Sequence, residues 1–329
     1  MSPDAPARAP RGAGPAAPAA AGEPYTRSLE RMNRFQEPEG RAAIAALRLP
    51  RGSRGIDVGC GVGLFTLWLA EAVGARGRVV GLEPSAERVA AARTLAGRRL
   101  PPPRLAFGEG DATAIPAPDA SVDWAWVSDA LHHVLDTQAA LREIARVVRP
   151  GGLVVVKESQ VVPAMWLPGH PELERRLQQA ELERSREESG PLSFQERRQQ
   201  TLAALRTAGL TDVTARTYVI ARQAPLRRVD REYVQRVVFD RNWGPRLESR
   251  LRPEDWRQRT ALCAAGSPEA VLRRRDYFCI YPFTVFTARR PARAGRPLTA
   301  APRAPRPGGR ARRAGAEPDR ATPRGRRRG

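Results

Sequence analysis

The chain has 329 residues, of which 28% are charged, and its formal net charge is +21. The segment from residue 289 onward holds 14 arginines against two acidic residues and therefore supplies +12 of that charge. No apolar run approaches the roughly 20 residues of a membrane-spanning helix, and Cys60, Cys263 and Cys279 have neither paired nor metal-ligand spacing. These features argue against a membrane span, a disulfide framework and a metal site, and they predict a cytoplasmic protein.

The two ends of the chain differ in composition from the middle. Residues 1–24 are mostly Ala, Pro and Gly, and residues 289–329 are Ala, Pro, Gly and Arg. Neither end can bury enough apolar surface to offset the entropy of ordering, so both are predicted to be disordered, with one folded unit over 25–288. The basic tail is predicted to be solvated; weak non-specific binding to nucleic acid or an anionic membrane is the alternative.

The first clear element is a buried strand with an acidic residue near its end. Ile56 and Val58 suit a strand that is covered on both faces, and Asp57 lies between them. Three alternating glycines follow, and a helix is predicted over 62–74. Glycines allow backbone amides to approach a ligand closely, and a strand, glycine loop and helix in this order bind nucleotides in open α/β sheets.

Strands and helices then alternate along the chain. The next strands are predicted over 77–83, 104–107, 122–127 and 153–156, with helices over 85–96 and 137–148. Within the fourth strand, Trp124 and Trp126 share a face by the period of two. The alternation predicts a doubly wound sheet with right-handed crossovers.

After residue 160 the regular alternation of strands and helices ends. Helices are predicted over 171–188 and 194–208, strands over 213–220 and 277–287, and helix-like stretches over 230–239, 253–264 and 267–274. Pro282 inside the last strand implies a bulge or an edge position, because proline cannot donate to the ladder. The segments 161–192 and 223–276 are insertions.

Four motifs occur in a fixed order: the glycine loop after Asp57, the acid Glu83, the triplet Gly110-Asp111-Ala112, and Arg149-Pro150-Gly151-Gly152. Together they resemble the class I S-adenosylmethionine-dependent methyltransferases, in particular their ubiquinone/menaquinone-biosynthesis-type branch. The resemblance covers about residues 41–158, within a cofactor-binding core over 41–160. It implies a seven-stranded mixed sheet of the Rossmann-like α/β class. It also implies transfer of a methyl group from S-adenosylmethionine to a small organic acceptor, by C- or O-methylation.

The resemblance also implies which residues contact the cofactor. The backbone of the glycine loop would lie against the methionine part, Asp57 would accept hydrogen bonds from the ammonium group, and Glu83 would accept two from the ribose hydroxyls. Asp111 would receive the adenine amino group, and Ala112 would donate its N–H to the ring; the alternative for Asp111 is a turn former that caps its own loop. The full set of implied cofactor residues is Asp57, Gly59, Cys60, Gly61, Gly63, Glu83, Asp111, Ala112 and Ser128.

His132 and His133 follow the fourth strand, on the rim that would face the transferred methyl group. Either is a candidate general base for an acceptor that must lose a proton, because neutral imidazole is available near pH 7. The alternative is a structural role in packing and backbone hydrogen bonding.

Two further features are predicted to enclose the site. A helix over 25–35, carrying Tyr25, Arg27 and Arg31, could fold over the cofactor. The two insertions would form a cap over the acceptor. Their aromatic residues either line the acceptor pocket or anchor small cores; these are Trp166, Tyr233, Phe239, Trp243 and Trp256.

The residues also bear on three other functions. A nicotinamide reductase would need a third glycine where this chain has Leu64. An RNA or protein methyltransferase could dock through the arginine tail, but the rim sequence Ser128-Asp129-Ala130-Leu131 is not the Asn/Asp-Pro-Pro-aromatic loop of nucleic-acid amino methylation. A non-catalytic module with this fold would not need the acids at 57, 83 and 111. The sequence leaves the acceptor, the methylated atom and the oligomeric state open.

Overall fold

A seven-stranded sheet forms the centre of the computed structural model, which describes residues 24–97, 99, 104–189 and 192–292. The strands are β1 (Arg54–Val58), β2 (Arg78–Glu83), β3 (Leu105–Glu109), β4 (Val122–Ser128), β5 (Val148–Ser159), β6 (Thr211–Gln223) and β7 (Phe278–Arg289). Their order is β3-β2-β1-β4-β5-β7-β6; β1 to β5 are parallel, and β7 is antiparallel to both of its neighbours. The predicted mixed, doubly wound sheet is confirmed.

Helices cover both faces of this sheet. They are α1 (Tyr25–Ala46), α2 (Leu64–Val73), α3 (Ala86–Gly97), α4 (Thr137–Val147), α5 (Pro171–Ser189), α6 (Phe194–Gln199), α7 (Thr201–Thr207), α8 (Arg228–Tyr233) and α9 (Pro253–Cys263). A π-helix over Val234–Asn242 continues α8, and short 3-10 helices occur at Leu131–His133, Pro245–Arg250 and Val271–Arg273. No helix within the described residues is both long enough and apolar enough to cross a membrane. The predicted disordered tails fall outside the described residues over 1–23 and 293–329.

The strand period of two divides the core between the two faces. Trp124 and Trp126 pack with α1, α2 and α3, whereas Ala125 and Val127 from the same strand pack with α4 and α7. The prediction that the two tryptophans share a face is confirmed. Because both faces are buried, the polar ends of the central strands are the places where the sheet can present functional side chains.

Several predicted boundaries were wrong. The helix predicted over 25–35 runs to Ala46, and the helix predicted over 194–208 is two helices that meet at Gln200. Within the stretch 267–274, only a single 3-10 turn forms. β5 begins at Val148, directly after α4, rather than at Leu153. Packing against the sheet decides these ends, and the local helix preference of the sequence does not.

The prediction for Pro282 was also wrong. β7 lies between β5 and β6, so Pro282 is not on an edge strand, and its pairing with Val219 is in a regular register. Its carbonyl oxygen accepts a hydrogen bond from the N–H of Gln160, one residue past the end of β5. The backbone N–H that Pro282 lacks would point toward β5, beyond its last paired residue, and not toward β6. The hydrogen bonds between β7 and β6 are therefore unaffected.

Candidate functional site

The glycine loop is anchored to the end of β2 by backbone hydrogen bonds. The N–H groups of Gly59 and Cys60 both donate to the Leu82 carbonyl, at 2.7 and 2.9 Å. The N–H of Gly61 donates to Glu83 Oε2 at 3.0 Å. The N–H of Gly110 in turn donates to the Glu83 carbonyl at 3.3 Å. Three of the four sequence motifs therefore meet at the carboxyl ends of β1, β2 and β3.

Gly59 is required by both its conformation and its surroundings. Its φ is +75°, and a Cβ added there would lie 2.4 Å from the Ala130 Cβ. We expect Gly59→Ala to lower the free energy of unfolding by about 2–4 kcal/mol, from left-handed strain and overpacking together. Gly97→Ala is the control, because among the described residues no atom beyond its chain neighbours and its own helix backbone lies within 4 Å of the added Cβ. Urea denaturation should show little or no loss for Gly97→Ala; equal losses in the two variants would contradict this account.

Asp57 is fully buried at the end of β1. Its Oδ2 accepts a hydrogen bond of 2.6 Å from the Thr66 hydroxyl on α2, while its Oδ1 is buried and has no partner among the described residues. Burial raises the pKa of Asp57 to about 7. A buried carboxylate oxygen without a donor is unfavourable, so Asp57 is suited to receive a cationic donor from a ligand.

Glu83 is buried at the end of β2 and is held by several donors. Its Oε1 accepts hydrogen bonds from Arg88 Nε at 2.8 Å and from the Ser85 N–H at 3.2 Å, and its Oε2 accepts the bond from Gly61. The carboxylate is thus fixed at the position that the resemblance assigns to the ribose. A ribose that bonds to Oε1 must displace the Arg88 side chain.

The remaining implied cofactor residues lie along the same edge of the sheet. Asp111 is exposed just beyond β3, and its Oδ1 accepts bonds from the N–H and hydroxyl of Thr113, at 2.7 and 2.8 Å. Ala112 is half-buried beside it, and Ser128 is half-buried at the end of β4. The Asp111 bonds stabilise its own turn.

Helix α1 lies over the glycine loop. The Leu29 Cδ1 is 3.6 Å from the point where a Cβ on Gly61 would stand. The Tyr25 ring contacts the guanidinium groups of Arg88 and Arg241, and Arg31 forms an ion pair with Glu232. The first turns of α1 therefore cover the glycine loop and are tied to α3, α8 and the π-helix that continues α8.

Two grooves in the described residues lie away from this edge. One, of about 250 Å³, is between α1 and α2 beside Arg41 and Trp68. The other, of about 130 Å³, is at the amino ends of β4 and β5 beside Asp123 and Arg149. Neither groove touches the carboxyl ends of the parallel strands, at which open α/β sheets bind ligands, so we do not place the site there.

His132 is buried and both of its ring nitrogens are engaged. Nε2 lies 2.9 Å from Arg198 Nη2, and because arginine can only donate, Nε2 accepts. Nδ1 lies 2.7 Å from Glu158 Oε2, to which it donates. Burial lowers the pKa of His132 well below its usual value and raises the pKa of Glu158 to about 8. His132 could act as a base only after Arg198 releases Nε2.

His133 is exposed on the same 3-10 turn. Its ring packs 4.6 Å from the Phe194 ring at the start of α6, between centroids. It therefore joins the rim of the sheet to the segment that follows the first insertion. Within the described residues, no group of three or more His, Cys, Asp or Glu side chains is placed to hold a metal ion.

The aromatic residues of the insertions divide into two groups. Trp166 and Tyr233 pack against each other at 5.9 Å between ring centroids, close to the end of β5. Phe239 and Trp243 stack at 5.9 Å within the second insertion, and Trp256 is half-buried beneath the Arg259 guanidinium. Only the first pair adjoins the rim of the sheet; the others anchor the insertion itself.

Sequence reasoning missed a buried polar cluster at the ends of β4 and β5. Lys157 is fully buried, forms an ion pair with Asp129, and donates to Gln36 Oε1 and Ser159 Oγ at 2.6 and 2.7 Å. One signal was present in the sequence. Lys157 is the single lysine among 56 lysine and arginine residues, and it directly follows an apolar strand segment.

Comparison with known proteins agrees with this geometry. Residues 56–156 match the family model described as a methyltransferase domain. An O-methyltransferase, cnsE of Penicillium expansum, is 39% identical over 108 residues, which is 33% of this chain and 38% of that protein. The demethylmenaquinone methyltransferase of Staphylococcus epidermidis is 33% identical over 116 residues, which is 35% of this chain and 47% of that protein.

The matched region covers less than half of each of these two relatives. The family match over 56–156 contains the glycine loop, Glu83 and Asp111, ends within β5, and excludes both insertions. Among solved structures, the YcgJ protein of Bacillus subtilis is similar with a TM-score of 0.46 and 18% identity, over 77% of this chain and 98% of that chain.

Proposed function

We propose that this chain, whose residues 56–156 form a methyltransferase domain of the class I S-adenosylmethionine-dependent type, methylates a small organic acceptor and releases S-adenosylhomocysteine. The observation that carries the proposal is the convergence of Asp57, the glycine loop and Glu83 at one edge of the sheet. The names of the matched relatives, an O-methyltransferase and a quinone methyltransferase, support a small molecule as the acceptor.

The residues present fit S-adenosylmethionine. The buried Asp57 Oδ1 has no donor among the described residues, which suits an ammonium group. Gly59 and Gly63 have positive φ, so the loop turns tightly without side chains. The loop leads into the first turn of α2, whose free N–H groups favour a carboxylate. When bound, the cofactor supplies a methyl group on a positively charged sulfur.

The part of the protein in such a transfer is binding and orientation. Asp57 would hold the methionine end of the cofactor and Glu83 its ribose, so that its methyl group faces the ends of β4 and β5. The two insertions and α1 would enclose the acceptor and exclude water. Positioning of this kind contributes up to about 7–11 kcal/mol in well-oriented reactions.

Titration calorimetry of the full chain with S-adenosylhomocysteine tests the proposal directly. Saturable binding to one site is the expected result, followed by methylation when acceptors from a lysate are screened with radiolabelled S-adenosylmethionine. Absence of binding would overturn the proposed function.

The pKa of Asp57 gives this binding a pH dependence. The ammonium group of the ligand prefers the carboxylate, whereas below about pH 7 the buried Asp57 is mainly protonated. We therefore expect the affinity for S-adenosylhomocysteine to rise about tenfold per pH unit as the pH approaches 7 from below, and to level off above it. Asp57→Asn should bind weakly with no such rise. A flat profile in the unmodified protein would show that Asp57 does not contact the ligand.

A further inference from the structure

The Lys157 ammonium group is buried from water, and each of its N–H bonds has an acceptor. The three N–H bonds are directed to Asp129, to Gln36 Oε1 and to Ser159 Oγ. The Phe65 and Phe283 rings flank Nζ, at 5.5 and 5.1 Å from their centroids. A compact ammonium fits this arrangement, whereas the planar guanidinium of arginine, with five donors, does not.

Stability alone does not account for this buried pair. Removing two charges from water costs several kcal/mol per ion, and replacing a buried ion pair by apolar residues is often neutral or stabilising. All the other residues counted as Lys or Arg in this chain are arginine, yet position 157 has lysine. Both facts favour a functional role for the ammonium group.

The Lys157–Asp129 pair also lies between the glycine loop and the insertions that are proposed to cap the acceptor. Asp129 directly follows β4, and the next residue, Ala130, is the one that approaches Gly59. Phe65 is in the first turn of α2, immediately after the loop. Gln36 comes from α1, the helix that covers the loop. A group that displaced the neutral Gln36 carboxamide from Lys157 would therefore be close to the methyl end of the cofactor site.

A cluster of four buried aromatic side chains, from α1, the segment after β5, α8 and β7, lies near the amino end of β7. Phe35, Trp166, Tyr233 and Tyr281 are all buried and lie within 4.4 to 6.1 Å of one another between ring centroids. Tyr281 is two residues from Phe283 on β7, and Phe283 pairs with Ser159, which accepts a hydrogen bond from Lys157. The rings provide flat apolar faces near the charged Lys157 ammonium group.

Resting on the proposed function, we propose that Lys157 holds the acceptor oxygen as an oxyanion, and that the acceptor is a planar compound with an acidic hydroxyl group, a phenol or an enol. The acceptor would lose its hydroxyl proton to water on binding, and its oxygen would replace Gln36 Oε1 as a partner of Nζ. Opposite charges interact strongly where water is excluded, which offsets the cost of ionising the hydroxyl.

The charges and bonds in this step balance. A lone pair of the acceptor oxygen forms the bond to the methyl carbon, and the bond from that carbon to sulfur breaks and leaves its electron pair on sulfur. The oxyanion becomes a neutral ether and the sulfonium a neutral thioether. Lys157 stays protonated throughout and is neutralised by Asp129 before and after the transfer.

A single lysine allows a direct test in the full-length protein. Labelling with ε-¹⁵N-lysine gives one side-chain ammonium resonance, which belongs to Lys157. In protein saturated with S-adenosylhomocysteine, 1-naphthol should shift this resonance and raise the pKa of Lys157, which burial lowers in its absence. 1-Naphthylamine has the same ring system without an acidic hydroxyl, and at equal concentration it should leave the resonance unchanged.

A second measurement uses a variant that removes both charges, Lys157→Met/Asp129→Asn, so that neither charge is left buried alone. Calorimetry should show 1-naphthol binding at least tenfold weaker than in the unmodified protein, with S-adenosylhomocysteine binding retained. Equal responses to the naphthol and the amine, or no response to either in protein that binds S-adenosylhomocysteine, would overturn the role of Lys157. Failure to bind S-adenosylhomocysteine would overturn the proposed function itself.

Discussion

Replacing Glu83 by alanine should weaken S-adenosylhomocysteine binding by about a hundredfold. In the proposed function the Glu83 carboxylate accepts both ribose hydroxyls, and hydrogen bonds to a charged group contribute about 1.5–3 kcal/mol each, where 1.4 kcal/mol corresponds to tenfold. The change also removes the acceptor of the Gly61 N–H, which helps to hold the glycine loop. Titration calorimetry measures the affinity, and thermal unfolding shows whether the variant is folded.

Glu87→Ala is the matched control for this experiment. Glu87 lies four residues further along, in the first turn of α3, where it is exposed and accepts a bond from the Thr26 hydroxyl at 2.6 Å. It has no contact with the glycine loop, so its removal should change the affinity less than threefold, within roughly 0.5 kcal/mol. If Glu83→Ala bound as well as Glu87→Ala, the ribose would have to be recognised elsewhere.

Asp129→Asn should lower the free energy of unfolding by about 3–5 kcal/mol. The substitution keeps the size of the side chain and tolerates the φ of 49° at this position. It leaves the Lys157 ammonium fully buried without its counter-charge, and breaking a buried pair in this way is strongly destabilising. Urea denaturation at neutral pH gives the difference directly.

Two comparisons isolate the cause. Asp119→Asn removes a partner of Arg146 at 2.7 Å, but the Asp119 side chain is 74% exposed, so the loss should be at most about 1 kcal/mol. The double variant Lys157→Met/Asp129→Asn should be more stable than Asp129→Asn alone, because no unpaired charge remains. Equal stabilities for Asp129→Asn and Asp119→Asn would mean that Lys157 finds another counter-charge.

The sheet, and the edge at which Asp57, the glycine loop and Glu83 meet, could be predicted from the sequence because both depend on local patterns. The strand with Asp57, the glycines that follow it and the acid at the end of the next strand lie within one stretch of chain. Their spacing fixes which backbone amides and carboxylates meet at the carboxyl ends of parallel strands. In the structure the Glu83 carboxylate accepts a hydrogen bond from the Gly61 N–H, in agreement with this expectation.

Element ends were less well predicted because they depend on distant contacts. Pro282 suggested an edge strand, yet β7 is internal, and what accommodates the proline is the end of β5. The long α1 likewise extends past residue 35 because its later turns pack on α2. A local pattern reports propensity, whereas packing partners decide where an element stops.

The sequence by itself determined the fold class, the resemblance to methyltransferases over 56–156 and the placement of Asp57 and Glu83 at strand ends, since these follow from short-range spacing. Only the tertiary structure decided which buried polar groups are partners. Lys157 meets Asp129 and Gln36 across 28 and 121 residues, and His132 meets Glu158 across 26. Sheet order and the packing of α1 bring these groups together, and a buried charge has the environment that its distant neighbours provide.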